Sequence, residues 1–343
     1  MINVSVIIPV YKISSNYLRA CLDTLAAQTM QACEFIVVSD GAPEAVCSIC
    51  EEYAQKDTRF IFFKRKHAGV SATRNFAIEQ AQGEFITFVD SDDWIEKTTC
   101  QIAYDYAKKN SSEMLFWDCR IVEENGVATK TFFSESKISL LNEKDIRRFK
   151  EKVIYAAHAT EILPELSVCK LFRKDIINKF KIRFNNKLTY GEDRVFVFAY
   201  ASNCKKISYL NETFYNYRMH SQSTTHQMNR SYLEDSLKYI TKLDSLANGD
   251  YKDCLGNELW KAYCVSWNRC YMHPHNDIPL QMQIVELKKI IISEQFHNIL
   301  LNAAHRNQNL FRKIELFFLK HKIVNFVWAH VVIKHILDKT HFH

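Results

Sequence analysis

The first ninety-odd residues alternate between short apolar runs and apolar stripes at helical spacing. Val4–Val10, VSVIIPV, is a nearly continuous apolar run interrupted only by Ser5 and Pro9, and it predicts a short buried strand. Leu18, Cys21, Leu22 and Leu25 follow at the spacing of one helical face. Residues 35–38 predict a second strand, closed by Ser39-Asp40-Gly41, and Val46, Ile49, Cys50 and Tyr53 mark a second helix. Residues 60–63 predict a third strand. Ser71 then opens a helix carrying Arg74 and Asn75, and Gly83 turns the chain into Phe85-Ile86-Thr87-Phe88-Val89. That last run lacks polar alternation, so it reads as a strand buried on both faces. It stops abruptly at Asp90-Ser91-Asp92-Asp93-Trp94.

Strand and helix in strict alternation predict an α/β fold with a doubly wound, mostly parallel sheet. Right-handed crossovers bring the strand ends to one edge, where open α/β sheets bind ligands, so Asp40 and Asp90 are expected to face one crevice. From about Tyr232 the pattern becomes helical throughout, with Leu233, Leu237, Ile240 and Leu243, then Ile284, Leu287, Ile290 and Ile291. Asn248-Gly249-Asp250 and His273-Pro274 punctuate it. The expected organisation is an α/β ligand-binding domain over 1–228 and a helical region over 229–343.

Composition narrows the class. The 343 residues are 47% hydrophobic and 24% charged, which supports a substantial core. A net charge of +6 suits an anionic substrate or membrane surface, and it is too mild for a nucleic-acid binder. The eleven cysteines are an odd number, and Cys21, Cys33, Cys119 and Cys264 fall in apolar stripes as reduced core residues. Cys47 and Cys50 share a helical stripe and have no second C-x-x-C to complete a zinc site. Strand sequence begins almost at Met1 with no charged and apolar leader, and a cytoplasmic location is expected.

Asp90 and Asp92 lie two apart, so on extended backbone they point the same way and form a hard-oxygen site suited to Mn²⁺ or Mg²⁺. The competing reading is an N-cap, with Asp92 or Asp93 starting a helix near Trp94. No G-x-G-x-x-G follows the first strand and no G-x-x-x-x-G-K-[ST] occurs. With only seven glycines in the chain, phosphate must be held by metal and cationic side chains. Glu192-Asp193 precedes an apolar helix over 195–200, where both acids would also favour a helix N-terminus.

VSVIIPVY, the Asp40-Gly41 pair, HAGVSATRN at 67–75 and GEFITFVDSDDW at 83–94, in this order, resemble family 2 glycosyltransferases of the GT-A fold. The resemblance extends to SVCKLF at 167–172, Gly191-Glu192-Asp193 and Tyr217-Arg218-Met219-His220, and covers roughly the first two-thirds of the chain. It implies that Asp40 contacts the uracil ring and that Pro9 and Tyr11 line the base pocket. Arg74, Asp90, Ser91 and Arg218 would hold the nucleotide-sugar, with Arg218 matched to phosphate geometry. Asp92 and His220 would ligate the metal, and Asp193 would be the catalytic base. Trp94 is a candidate to stack on the sugar, with a core role open beside it, and the role of Lys170 stays open. Two departures stand out: Ser39 replaces a second aspartate before Asp-Gly, and Lys12 replaces an asparagine.

The implied reaction is inverting transfer of a hexose or N-acetylhexosamine from a UDP-sugar to a hydroxyl of a saccharide or lipid-linked saccharide, giving a β-linkage in a cell-surface polysaccharide. A non-catalytic nucleotide-sugar-binding scaffold would be expected to lose Asp92 or Asp193. A sugar nucleotidyltransferase would want a glycine- and arginine-rich loop after the first strand. The acceptor is expected to meet residues 110–166 and the C-terminal helices. The last segment, 310–339, mixes Phe317, Phe318, Val327, Trp328, Val331 and Val332 with Arg312, Lys313, Lys320, Lys322, Lys334 and Lys339. Its apolar stretches are shorter than the ~20 residues of a spanning helix. Peripheral contact with an anionic membrane is placed first, ahead of packing on its own domain or on a second copy in a homodimer.

Overall fold

The computed structural model describes residues 1–123, 128–131, 140–155, 163–219, 228–271, 277–301, 310–326 and 329. His220, His273-Pro274, Val327, Trp328, Val331, Val332, Lys334 and Lys339 therefore lie outside the described residues. The chain divides into two compact units, 1–223 and 224–343.

In the first unit the predicted alternation appears as β1 (Val4–Val10), α1 (Ser15–Ala26), β2 (Cys33–Asp40), α2 (Glu44–Lys56), β3 (Phe60–Arg65), α3 (Val70–Gln80) and β4 (Phe85–Phe88). These four strands are parallel neighbours in the order β3-β2-β1-β4. Every residue of β2 and β4 is buried, as continuous apolar runs between two helical layers require. The order reverses at β1, so the crevice beyond Pro9 and Phe88 is the switch point of the sheet. At the opposite edge, before β4, Gly83 admits no side chain: a Cβ would stand 2.5 Å from the Ser5 amide nitrogen.

The sheet then becomes mixed. The chain adds β5 (Trp94–Ile95), α4 (Thr99–Lys109), β6 (Met114–Val122), β7 (Ala128–Thr131), α5 (Glu143–Ile154), β8 (Lys170–Arg173), α6 (Lys174–Lys179), α7 (Glu192–Ser202) and β9 (Ile207–Arg218). The order continues β4-β8-β6-β9-β5, with β7 beside β6. β8 is antiparallel to both its neighbours, and β6 and β9 run parallel with irregular register around Asp118. The helix-capping alternative for Asp92 and Asp93 is corrected here. Past the acids the chain enters β5, which pairs Trp94 with Asn216 and Ile95 with Tyr215, and the next helix waits until Thr99.

An aromatic cluster packs beneath the end of β4. Phe88 meets Phe172, Phe184 and Phe196 edge-on at 5.3–5.9 Å, and Phe184 stacks on Phe196 at 4.1 Å. Such pairs add about 0.5–1.5 kcal/mol each beyond area burial.

The second unit is helical, with α8 (Tyr232–Ala247), α9 (Lys252–Ser266), α10 (Leu280–Ile291), α11 (Glu294–Leu301) and α12 (Leu310–Lys320). Tyr239 and Tyr263 are fully buried and donate to the buried Glu258 and Glu315 at 2.7 and 2.8 Å. No helix among the described residues is long and apolar enough to cross a membrane.

Candidate active site

At the ends of β1 and β2, Tyr11 is partly exposed and stacks on His67 with centroids 4.6 Å apart, while Lys12 Nζ stands 5.3 Å from the Tyr11 ring centre. Asp40 is buried on the loop side of that pair. Its carboxylate accepts the Ala68 N–H at 2.6 Å and the Gly69 N–H at 3.0 Å, with His67 Nδ1 at 3.0 Å. The residue expected on uracil thus also frames the loop on which Tyr11 stacks. Ser39, the departure from the family pattern, is buried and accepts the Ala42 N–H at 3.1 Å. Gly41 turns the chain with φ +71, and a Cβ there would meet His67 at 3.0 Å.

The centre of the crevice is Arg74. α3 delivers this guanidinium, 4% exposed, over the face of Phe184 at 5.2 Å. Its Nη2 donates to Asp90 at 3.0 Å, and its Nη1 reaches Asp193 at 2.9 Å and Glu192 at 3.4 Å. Burial alone would lower the arginine pKa, and attraction to Asp193, Asp90 and Glu192 reverses this, so it stays charged. Three carboxylates share one cation. Burial pushes Glu192 up to about 7, with Asp193 adding to the rise and Arg74 opposing it. Asp90, whose side chain is one-third exposed, is pushed up to about 6 by desolvation; Arg74 opposes this, while Asp92 and Asp193 add to it.

Asp193 sits in the first turn of α7 after Gly191, which is left-handed at φ 74. It therefore lies at a helix N-terminus, as its place before an apolar helix predicted, and Arg74 links it to Asp90 beyond β4.

Asp92 is half-buried in the turn between β4 and β5. Asp93 points the other way and is fully buried; its oxygens accept the Tyr215 hydroxyl at 2.6 Å and the Arg218 N–H at 2.7 Å. Arg218 donates Nε–H to the Asp92 carbonyl at 2.8 Å, and its guanidinium lies between Tyr17 at 4.3 Å and Trp94 at 4.6 Å. Trp94, a candidate for sugar stacking, here covers Arg218. Lys170 is buried, and its Nζ donates to the carbonyls of Leu166 at 2.6 Å and Val168 at 3.4 Å, clamping the loop before β8. Burial lowers its pKa to about 8, opposed by Cys169 and Asp193.

The structure places Pro9, Tyr11, Asp40, Asp90, Ser91, Asp92 and Arg218 at strand ends and the loops beside them, and Arg74 and Asp193 on α3 and α7, all in one unit. His220 lies outside the described residues, and Lys64 pairs with Glu44 on the surface. Among the described residues no group of three or more His, Cys, Asp or Glu side chains is arranged to hold a metal. Sequence reasoning missed Tyr215 and Tyr17 and gave Asp93 no role beyond a possible helix cap. The one available signal was the aromatic-rich end of β9, Phe214-Tyr215-Asn216-Tyr217.

The profile of Glycosyl transferase family 2 matches residues 5–180. The chain is 32% identical over 236 residues to EpsH of Bacillus subtilis (strain 168), across 68% of this chain and 66% of that protein. It is 30% identical over 221 residues to the poly(ribitol-phosphate) beta-N-acetylglucosaminyltransferase TarS of Staphylococcus aureus (strain MW2), across 63% of this chain and 35% of that protein. The matches thus span less than two thirds of either relative. The crystal structure of S. aureus TarS 1-349 in complex with UDP-GlcNAc shares the fold at TM-score 0.67 and 22% identity, covering 96% of this chain and 90% of that one.

Proposed function

The chain belongs to glycosyl transferase family 2, and from that premise we propose that it is an inverting, metal-dependent hexosyltransferase using a UDP-sugar. The donor is a UDP-hexose or UDP-N-acetylhexosamine, and the acceptor is a hydroxyl of a saccharide or lipid-linked saccharide in cell-wall or surface-polysaccharide assembly. The UDP-GlcNAc held by TarS and that relative's N-acetylglucosaminyltransferase activity support the donor class. The observation that carries the reading is Arg74, which joins Asp90 at 3.0 Å and Asp193 at 2.9 Å across one crevice.

In this reading Tyr11 and the loop framed by Asp40 receive the uracil. Asp193 takes the proton of the acceptor hydroxyl as it attacks the anomeric carbon, an effect worth about 10² to 10⁴ in rate. Attack opposite the leaving group inverts the anomeric centre, so an α-linked donor gives a β-linked product. Arg74 orients Asp193 through the 2.9 Å bond from its Nη1.

Two carboxylates suffice for a divalent cation whose other ligands would come from substrate phosphate and water, and the described residues hold no cluster of three. Asp90, Glu192 and Asp193 surround one arginine, and Asp92 stands beside them, leaving an excess of carboxylate oxygen of the hard type that Mn²⁺ or Mg²⁺ prefers. Asp92 and Asp90 would hold it, and bound there it would offset charge on the leaving diphosphate.

The test is UDP release from a panel of UDP-sugars, with Mn²⁺ present or chelated. Turnover of at least one donor, lost on chelation and in Asp92→Ala and Asp193→Asn, supports the reading. Release indifferent to chelation and to Asp92→Ala contradicts it.

A surface observation favours peripheral membrane contact. On and after α12, Leu310, Ile314, Phe317, Ile323 and Phe326 are exposed, with Phe317 at 55% and Phe326 at 60%, among the exposed Lys313, Lys320 and Lys322. Apolar side chains among lysines match an anionic bilayer surface, and a lipid-linked acceptor would be met there, on the cytoplasmic face.

A further inference from the structure

Two residues of β9 hold the acidic turn 90–93, beside the Arg74 bond to Asp90 at 3.0 Å and the contact of Cys21 Sγ with the Asp90 carbonyl at 3.6 Å. Within the turn, the Asp93 N–H donates to the Asp90 carbonyl at 3.1 Å. The Asp90 N–H donates to the Tyr215 hydroxyl at 3.2 Å, and that hydroxyl donates to Asp93 Oδ2 at 2.6 Å. Asp93 Oδ1 accepts the Arg218 N–H at 2.7 Å, and the Asp92 carbonyl accepts Arg218 Nε–H at 2.8 Å. The direction of the chain of bonds is fixed: an amide N–H only donates, so the hydroxyl hydrogen belongs to Asp93. One oxygen thereby touches the first and last residues of the turn. Both Tyr215 and Asp93 are about 1% exposed, so water does not replace a bond that is lost.

We propose that Tyr215 is a positioning residue that sets the directions of the Asp90 and Asp92 carboxylates, and through them the affinity for the divalent cation. This rests on the metal-dependent reading above. β9 is a fitting anchor because it is held on both sides, by β6 in parallel and by β5, where Ile95 pairs with Tyr215 itself. Neither Tyr215 nor Asp93 touches the reactants in this reading; both act through the turn.

A merely structural tyrosine would lower stability and leave metal affinity alone, so the experiment separates the two. Mn²⁺ binding to the full chain in the presence of UDP is followed by the loss of the free-ion paramagnetic resonance signal, and UDP release is titrated against Mn²⁺ in parallel. For Tyr215→Phe the half-saturating Mn²⁺ rises about tenfold in both measurements, while kcat at saturating Mn²⁺ stays within about threefold of wild type. The control is Tyr209→Phe, which removes another buried hydroxyl of β9, the one donating to Asp118 at 2.7 Å. It lowers the melting temperature and leaves half-saturation unchanged. Should Tyr215→Phe fail to fold, Asp93→Asn carries the same test with the same expected rise. Wild-type binding that neither variant weakens, or an equal rise in Tyr209→Phe, overturns the inference alone. Absence of Mn²⁺ binding by wild type overturns the metal reading and the inference with it.

Discussion

Arg74 Nη1 lies 2.9 Å from Asp193 Oδ1, across 119 positions of sequence, while Nη2 of the same guanidinium holds Asp90 at 3.0 Å. The acid proposed as base and the first acid of the proposed metal turn therefore share one buried cation.

Replacing that cation should be severe. Arg74→Ala leaves Asp90, Glu192 and Asp193 facing one another in a site without a counter-charge, and a loss of about 3–5 kcal/mol is expected by denaturant titration. UDP release should fall by about two orders of magnitude or more, since the base loses both orientation and partner. Arg74→Lys should rescue only part of either, because one ammonium cannot reproduce a two-sided fork.

Glu192 should make stability depend on pH. Its folded pKa of about 7 lies above the ordinary glutamate value, so between pH ~4.5 and ~7 the folded state binds more protons than the unfolded one. Stability attributable to this group is then greatest below pH ~4.5 and declines as pH rises toward ~7, by an amount on the order of 3 kcal/mol. Glu192→Gln removes the titration. The melting-temperature difference between variant and wild type should shift in favour of the variant from pH 5 to pH 8, and a difference flat in pH would contradict this.

Gly41→Ala tests the turn beneath the proposed base pocket. The left-handed φ of +71 costs a side-chain-bearing residue about 1–2 kcal/mol, and the new Cβ presses on His67 at 3.0 Å. A stability loss of about 1–3 kcal/mol is expected, together with weaker UDP binding by calorimetry, because His67 is the ring on which Tyr11 stacks.

The exposed aromatics of the second unit give a separate test. Wild type should co-sediment with anionic vesicles and not with neutral ones. Phe317→Ser with Phe326→Ser should cut the bound fraction at least about tenfold, given about 1.5–3 kcal/mol per buried phenylalanine, without changing UDP release from the donor when the acceptor is soluble.

How much was legible depended on the kind of signal. β1 to β4 announced themselves because strands buried on both faces leave unbroken apolar runs, and Asp90 and Asp92 stood out as charge ending such a run. β9 did not, because its middle is exposed at Asn211 and Glu212 and its partner register slips near Asp118. Local reading also offered a helix cap for the third acid. What decides its role is Tyr215, 122 positions away, which no local pattern foretells. Arg74 was placed at the nucleotide-sugar by resemblance, yet its guanidinium is turned toward the chain's own carboxylates, a relation that only the fold reveals.

The sheet order has a consequence for biosynthesis. β9 is threaded between β6 and β5, so a strand made late becomes an interior one. A nascent chain halted at residue 180 would already contain the whole family match, with Arg74 and the three aspartates, and still lack Asp193 and the Tyr215 anchor. In the proposed reading, catalytic competence would thus wait until the ribosome has released the stretch through Arg218.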